Sequence, residues 1–232
     1  MPLARPAALL LALSSPLIAA RADVGGTLSV QTDARERGVS YSGRAPGAQL
    51  SLAWDGEGGW YAGTQLAHAR FDARRHGARL QAYAGRVFGL APGLDGEVGV
   101  TAYRFGHVRY YDYREVYAGL LGERWHVRVY HSPDYYGLGR GSVYGEVELR
   151  WPLSKGLNAF AHAGALHGRG QPWSVTGARR PTRLDVRAGA SWQLGAGGEL
   201  SLALVAADRG GPALWSDAAR RPAALLGLTA AF

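Results

Sequence analysis

The chain contains no cysteine, one methionine and one lysine, Lys155. Without cysteine there is no disulfide staple, no thiolate metal ligand and no thiol nucleophile. An exported protein of this kind depends on a large core or on a sheet closed by its own hydrogen bonds. Past the N-terminus no eighteen apolar residues run together, so no helix suits a bilayer span. P-loop, zinc and calcium-loop spacings are also missing. Gly137, Gly139 and Gly141 alternate, but between strand patterns with no helix following, so they read as a loop. No cofactor is expected.

What is present begins with a leader. Arg5 precedes an apolar run, Ala7 to Leu13, and Ala20-Arg21-Ala22 fits a small-x-small cleavage site. Residues 1–22 read as a signal peptide and 23–232 as one mature domain. The net charge is +8, or +6 once Arg5 and Arg21 are removed, and it is almost all arginine. Such a surface suits lipid phosphates or acidic solutes, and export argues against nucleic acid.

The mature part alternates with period two. Ala48, Leu50, Leu52 and Trp54 interleave with Gln49, Ser51 and Asp55; Val143, Val147, Leu149 and Trp151 interleave with Tyr144, Glu146, Glu148 and Arg150. Leu184, Val186 and Ala188 interleave with Asp185 and Arg187. On a strand this sends apolar and polar residues to opposite faces. Twelve strands are predicted: 24–32, 47–55, 59–68, 77–86, 95–104, 113–121, 124–132, 142–151, 157–166, 183–193, 198–207 and 223–232. Their lengths lie near the ~9–11 residues that a tilted strand needs to cross a bilayer.

Connections alternate as well. The odd-numbered ones are long and polar, 33–46 among them, and most even-numbered ones are short, with 87–94 the longest. That asymmetry, an even strand count and a last strand ending on Phe232 predict an all-β fold: a closed, antiparallel, up-and-down transmembrane barrel in a Gram-negative outer membrane. Phe232 is the expected signal to the barrel-assembly machinery. Trp54, Trp60, Trp125, Trp151 and Trp192 fall near strand ends, where indole suits a membrane–water boundary.

Several segments resemble one family. Asp33-Ala34-Arg35-Glu36-Arg37-Gly38-Val39-Ser40 is similar to its D-Y-R-F-R-G-x-S signature, with Ala34 and Glu36 where the family has aromatics. Gly59-Trp60-Tyr61-Ala62-Gly63 resembles its second-hairpin motif, and Glu115-Val116-Tyr117-Ala118-Gly119-Leu120 its E-V-Y-A-G-L. Tyr130 to Gly137 resembles Y-x-S-P-D-Y-x-G, and Pro152-Leu153, Gly156-Leu157 and Ala161-His162-Ala163-Gly164 follow in order. The family is that of the proteobacterial TorF-like porins. The resemblance implies a barrel with a channel role and supplies no catalytic residue.

Two sets of charges are candidates for function. Arg128, Glu146, Glu148, Arg150, Asp185 and Arg187 should line the lumen, as a hydrated, weakly anion-preferring pore or as a salt-bridged filling. Arg35, Arg37, Arg74, Arg75, Arg179, Arg180, Arg220 and Arg221 fall in the outer loops. They would form a cationic mouth for anions or lipopolysaccharide phosphates, or simply solvated loops. Aqueous channels of general porin width usually need ~16–18 strands, so this one should pass only small or slender solutes. The rival reading is a structural or ligand-binding barrel with a closed lumen, contacting lipopolysaccharide or a partner through its arginine-rich outer loops. A rim hydrolase using His131, Ser132 and Asp134 is a third, and it suffers because adjacent strand residues point apart. Oligomeric state is not legible.

Overall fold

A computed structural model describes residues 23–70, 76–169, 180–212 and 221–232. Twelve strands form a closed antiparallel barrel: β1 (Asp23–Gln31), β4 (Gly47–Asp55), β5 (Trp60–Arg70), β6 (His76–Ala91), β7 (Leu94–Phe105), β8 (Tyr113–Gly122), β9 (Trp125–Ser132), β10 (Ser142–Ser154), β11 (Leu157–Gly168), β12 (Thr182–Gln193), β13 (Gly198–Ala207) and β14 (Ala223–Ala231). Each strand pairs with its neighbour along the chain, and β14 returns to β1. Gly26 and Phe232 complete that seam by exchanging N–H···O bonds of 3.0 Å in both directions. Closure leaves no unpaired edge, the condition for strands in hydrocarbon. Among the described residues no helix is long and apolar enough to cross a membrane.

The polarity is inside-out. Leu28, Val100, Val116, Leu184, Leu202 and Leu204 face outward and are exposed. Glu97, Thr101, Glu115, Arg128, Asp185 and Glu199 face inward and are buried. In water this arrangement would waste the apolar face; in lipid it places that face in its own solvent. The five predicted boundary tryptophans all sit at the barrel end where β1 starts and β14 finishes, and each is exposed on the outside.

The strand boundaries match the alternation closely, with one correction. The connection foreseen over 87–94 is mostly strand: β6 runs to Ala91 and β7 starts at Leu94, leaving a Pro92-Gly93 turn. Phe88 and Leu90 continue the outward apolar set, exposed like the rest. Proline and glycine, both turn formers, compress the reversal into two residues.

The interior explains much of the glycine content. Gly99 pairs with Tyr117, and a Cβ at Gly99 would strike the Tyr117 ring and hydroxyl. Glycine therefore lets the tyrosine lie flat against the neighbouring strand. Tyr83 covers Gly63 and Tyr61 covers Gly85 in the same way.

One element has no counterpart in the predicted strand set. Within 33–46, β2 (Arg35–Glu36) and β3 (Val39–Ser40) form a small hairpin outside the barrel sheet. Its turn is Arg37-Gly38, with φ of 48° and 74°. Positive φ at both central residues is the geometry that a two-residue hairpin favours. This segment was expected to be a solvated outer loop. It folds into the barrel instead, with Asp33, Val39, Ser40, Tyr41 and Ser42 buried.

Candidate functional site

The lumen is the candidate site. Its charged side chains come from β6 to β13, each placed inward by strand alternation. Arg128 on β9 makes a two-point contact with Glu97 on β7: Nε donates to Oε1, and Nη2 donates to Oε2 at 2.8 Å. Tyr61 donates to the same carboxylate at 3.1 Å, and its hydroxyl lies 2.6 Å from that of Tyr117. The Arg128 guanidinium stacks over the Tyr117 ring. Both charges are almost fully buried, so pairing is what makes their burial tolerable.

A second network occupies β10, β11 and β12. The His162 ring lies between carboxylates, Nδ1 2.6 Å from Glu148 Oε1 and Nε2 2.9 Å from Asp185 Oδ1. The Tyr144 hydroxyl touches both His162 Nε2 and Asp185 Oδ1. Glu146 accepts the Tyr130 hydroxyl at 2.9 Å. Glu146, Glu148 and His162 bring donor atoms within 4.8 Å of one another, a spacing open to a small cation. Toward the terminal end, Arg150 reaches Glu199 at 3.4 Å. Arg187 stacks over Phe160 and has no carboxylate at ion-pair distance among the described residues.

All six lumen candidates therefore face inward, most of them in pairs. Sequence reasoning missed several of their partners, Glu97, Glu199 and the His162 bridge, and two further inward charges, Arg79 and Glu115. Strand alternation carried that information, since Glu97 and Glu115 share a parity with Tyr103 and Tyr117 on β7 and β8. What the sequence withholds is which charge meets which.

The hairpin crosses this lumen. Glu36 forms an ion pair with Arg79 on β6. Arg37 donates to Glu115 on β8 through both terminal nitrogens, at 2.8 and 2.6 Å. Its guanidinium lies 4.2 Å from the Tyr144 ring centre on β10. Above it, the hydroxyls of Tyr41 and Tyr136 meet at 2.5 Å, in a cluster with Tyr103, Phe105, Tyr113 and Tyr135. Burial pushes the phenols of Tyr41 and Tyr136 well above the ordinary tyrosine range.

The loop arginines divide. Arg35 and Arg37 do not form a solvated mouth: Arg35 is buried against Asp33 at 2.7 Å and Arg37 is paired with Glu115. The reason is the inward hairpin, whose carboxylate partners lie within the barrel. Arg180 and Arg221 are exposed at the loop end. Arg74, Arg75, Arg179 and Arg220 lie outside the described residues. The rim triad does not assemble. Ser132 faces the interior with no hydrogen-bond partner among the described residues, His131 Nδ1 lies 3.1 Å from the Ser142 carbonyl, and Asp134 accepts the Gly139 N–H.

Residues 18–229 match the model of a family described as a bacterial protein of unknown function, Gcw_chp. The chain belongs to the Gcw_chp family. No curated protein matches this Gcw_chp chain by sequence. Solved structures similar to it include porins. The NanC porin aligns with a TM-score of 0.62 at 8% identity, over 90% of this chain and 99% of that one. The KdgM porin gives 0.56 at 8% identity, over 90% and 98%. KdgM in complex with disordered oligogalacturonate gives 0.53 at 8% identity, over 90% and 98%. At such identities the likeness is one of architecture.

Proposed function

We propose that this Gcw_chp chain is a narrow outer-membrane channel for small solutes, with a preference for anions. The observation that carries the reading is the inside-out closed sheet, apolar where lipid would touch it and lined with charge within. The KdgM and NanC likeness supports it, as does the TorF-like resemblance of residues 33–164. Anion preference rests on Arg187, which offers a guanidinium with no carboxylate partner among the described residues, and on oligogalacturonate, an acidic saccharide, being bound by KdgM. Residues 1–22 serve as the export signal, both ends of the barrel strand set face the periplasm, and Phe232 engages the assembly machinery. Arg180 and Arg221 then stand at the outer rim, placed to meet lipopolysaccharide phosphates.

Planar-bilayer recording of the purified protein tests the reading. Discrete conductance steps are expected, with reversal potentials in a salt gradient shifted toward the anion. Silent bilayers containing folded protein overturn the channel. A cation-directed shift overturns the preference alone.

A further inference from the structure

We infer that the β2–β3 hairpin is the constriction of this channel and sets the size of solute that passes. The inference rests on the channel reading above. A six-residue segment rooted between β1 and β4 would lie along those strands if it only covered the rim. This one reaches elsewhere. Glu36 is paired with Arg79 on β6, and Arg37 with Glu115 on β8. The Arg37 guanidinium stacks on Tyr130 and Tyr144, from β9 and β10. At the tip, a Cβ added to Gly38 would lie 2.5 Å from the Cβ of Ala207 on β13 and 2.8 Å from that of Asp185 on β12. The segment thus touches walls on the far side of the barrel from its root.

Two properties make it an obstacle with a defined position. Its charged contacts are buried, so water does not compete strongly for them. Asp33 fixes the hairpin internally: Oδ1 accepts from Ser40 and Ser42, and Oδ2 accepts from Arg35. A twelve-stranded lumen is narrow already. Solute must pass between this hairpin and the wall, so residues 36–38 limit its cross-section.

The test compares wild type with two variants, each first checked for heat-modifiable migration as a sign of a folded barrel. In one, residues 35–40 are replaced by Gly-Gly. In the other, Arg37→Ala is combined with Glu115→Gln, which removes the contact without leaving a buried charge. Single-channel conductance is expected to rise about threefold in the first and less in the second. Liposome swelling should then admit larger neutral sugars than wild type does. If wild type conducts and the folded variants conduct equally, the hairpin is only a brace and the inference fails while the channel reading stands. Silence in wild type and in both folded variants overturns both. If the deletion does not fold, the paired substitution decides: an unchanged conductance and sugar cut-off overturn the inference.

Discussion

Arg128 and Glu97 face each other across an intervening strand, joined at two points and shielded from water. Removing one partner strands the other charge. Arg128→Ala should therefore cost about 3–5 kcal/mol, whereas Glu97→Gln combined with Arg128→Met should cost far less. Urea unfolding in lipid vesicles would measure both. Equal losses for the single and double variants would mean that the pair is not the relevant unit.

The tyrosines lying on glycines predict a second sensitivity. Gly99→Ala places a methyl group where the Tyr117 ring lies. Tyr117 must swing into the lumen and release its contact with Tyr61, at a cost of about 1–3 kcal/mol. Gly99→Ala combined with Tyr117→Ala should recover part of that loss in the same unfolding assay. No recovery would place the strain in the backbone instead.

The seam offers a third. The Phe232 ring covers Gly26, where an added Cβ would lie 2.5 Å from a ring atom. Gly26→Leu should displace the ring and slow barrel closure, read as a slower appearance of the heat-modifiable band during refolding into vesicles. Phe232→Ala should slow it too. Normal kinetics in both would separate the ring from closure.

Alkaline pH provides a fourth test, directed at the roof of the hairpin. Tyr41 and Tyr136 share a short hydroxyl contact, and burial pushes both phenols up. An unfolded or released tyrosine ionises near pH ~10, before these do. As pH rises past that value the released state loses protons first, so the closed arrangement loses stability. Conductance should stay level below about pH 9 and climb above about pH 10. The double variant Tyr41→Phe, Tyr136→Phe should blunt the climb; an unchanged profile assigns it to other groups.

Much of the barrel is legible in the sequence, because period two is a local property. Leu202 and Leu204 declare their face by their neighbours alone. The turn at Pro92-Gly93 was hidden by apolar residues on either side that blurred the strand ends. The hairpin was hidden for a different reason. Arg35, Glu36 and Arg37 resemble a solvated charge run, and their partners Arg79 and Glu115 lie far along the chain. A local clue did exist: an Arg-Gly pair flanked by two short alternating segments suits a two-residue turn. Pairing across the lumen depends on closure, which no window of sequence contains.

Asp33 spends both carboxylate oxygens on residues of its own loop. The turn from Asp33 to Ser42 is thus braced from within, in addition to the contacts that Glu36 and Arg37 make with the wall. Spliced between the first two strands of another barrel of similar girth, the segment should keep its turn, but it would block that lumen only if the new wall offered partners to Glu36 and Arg37.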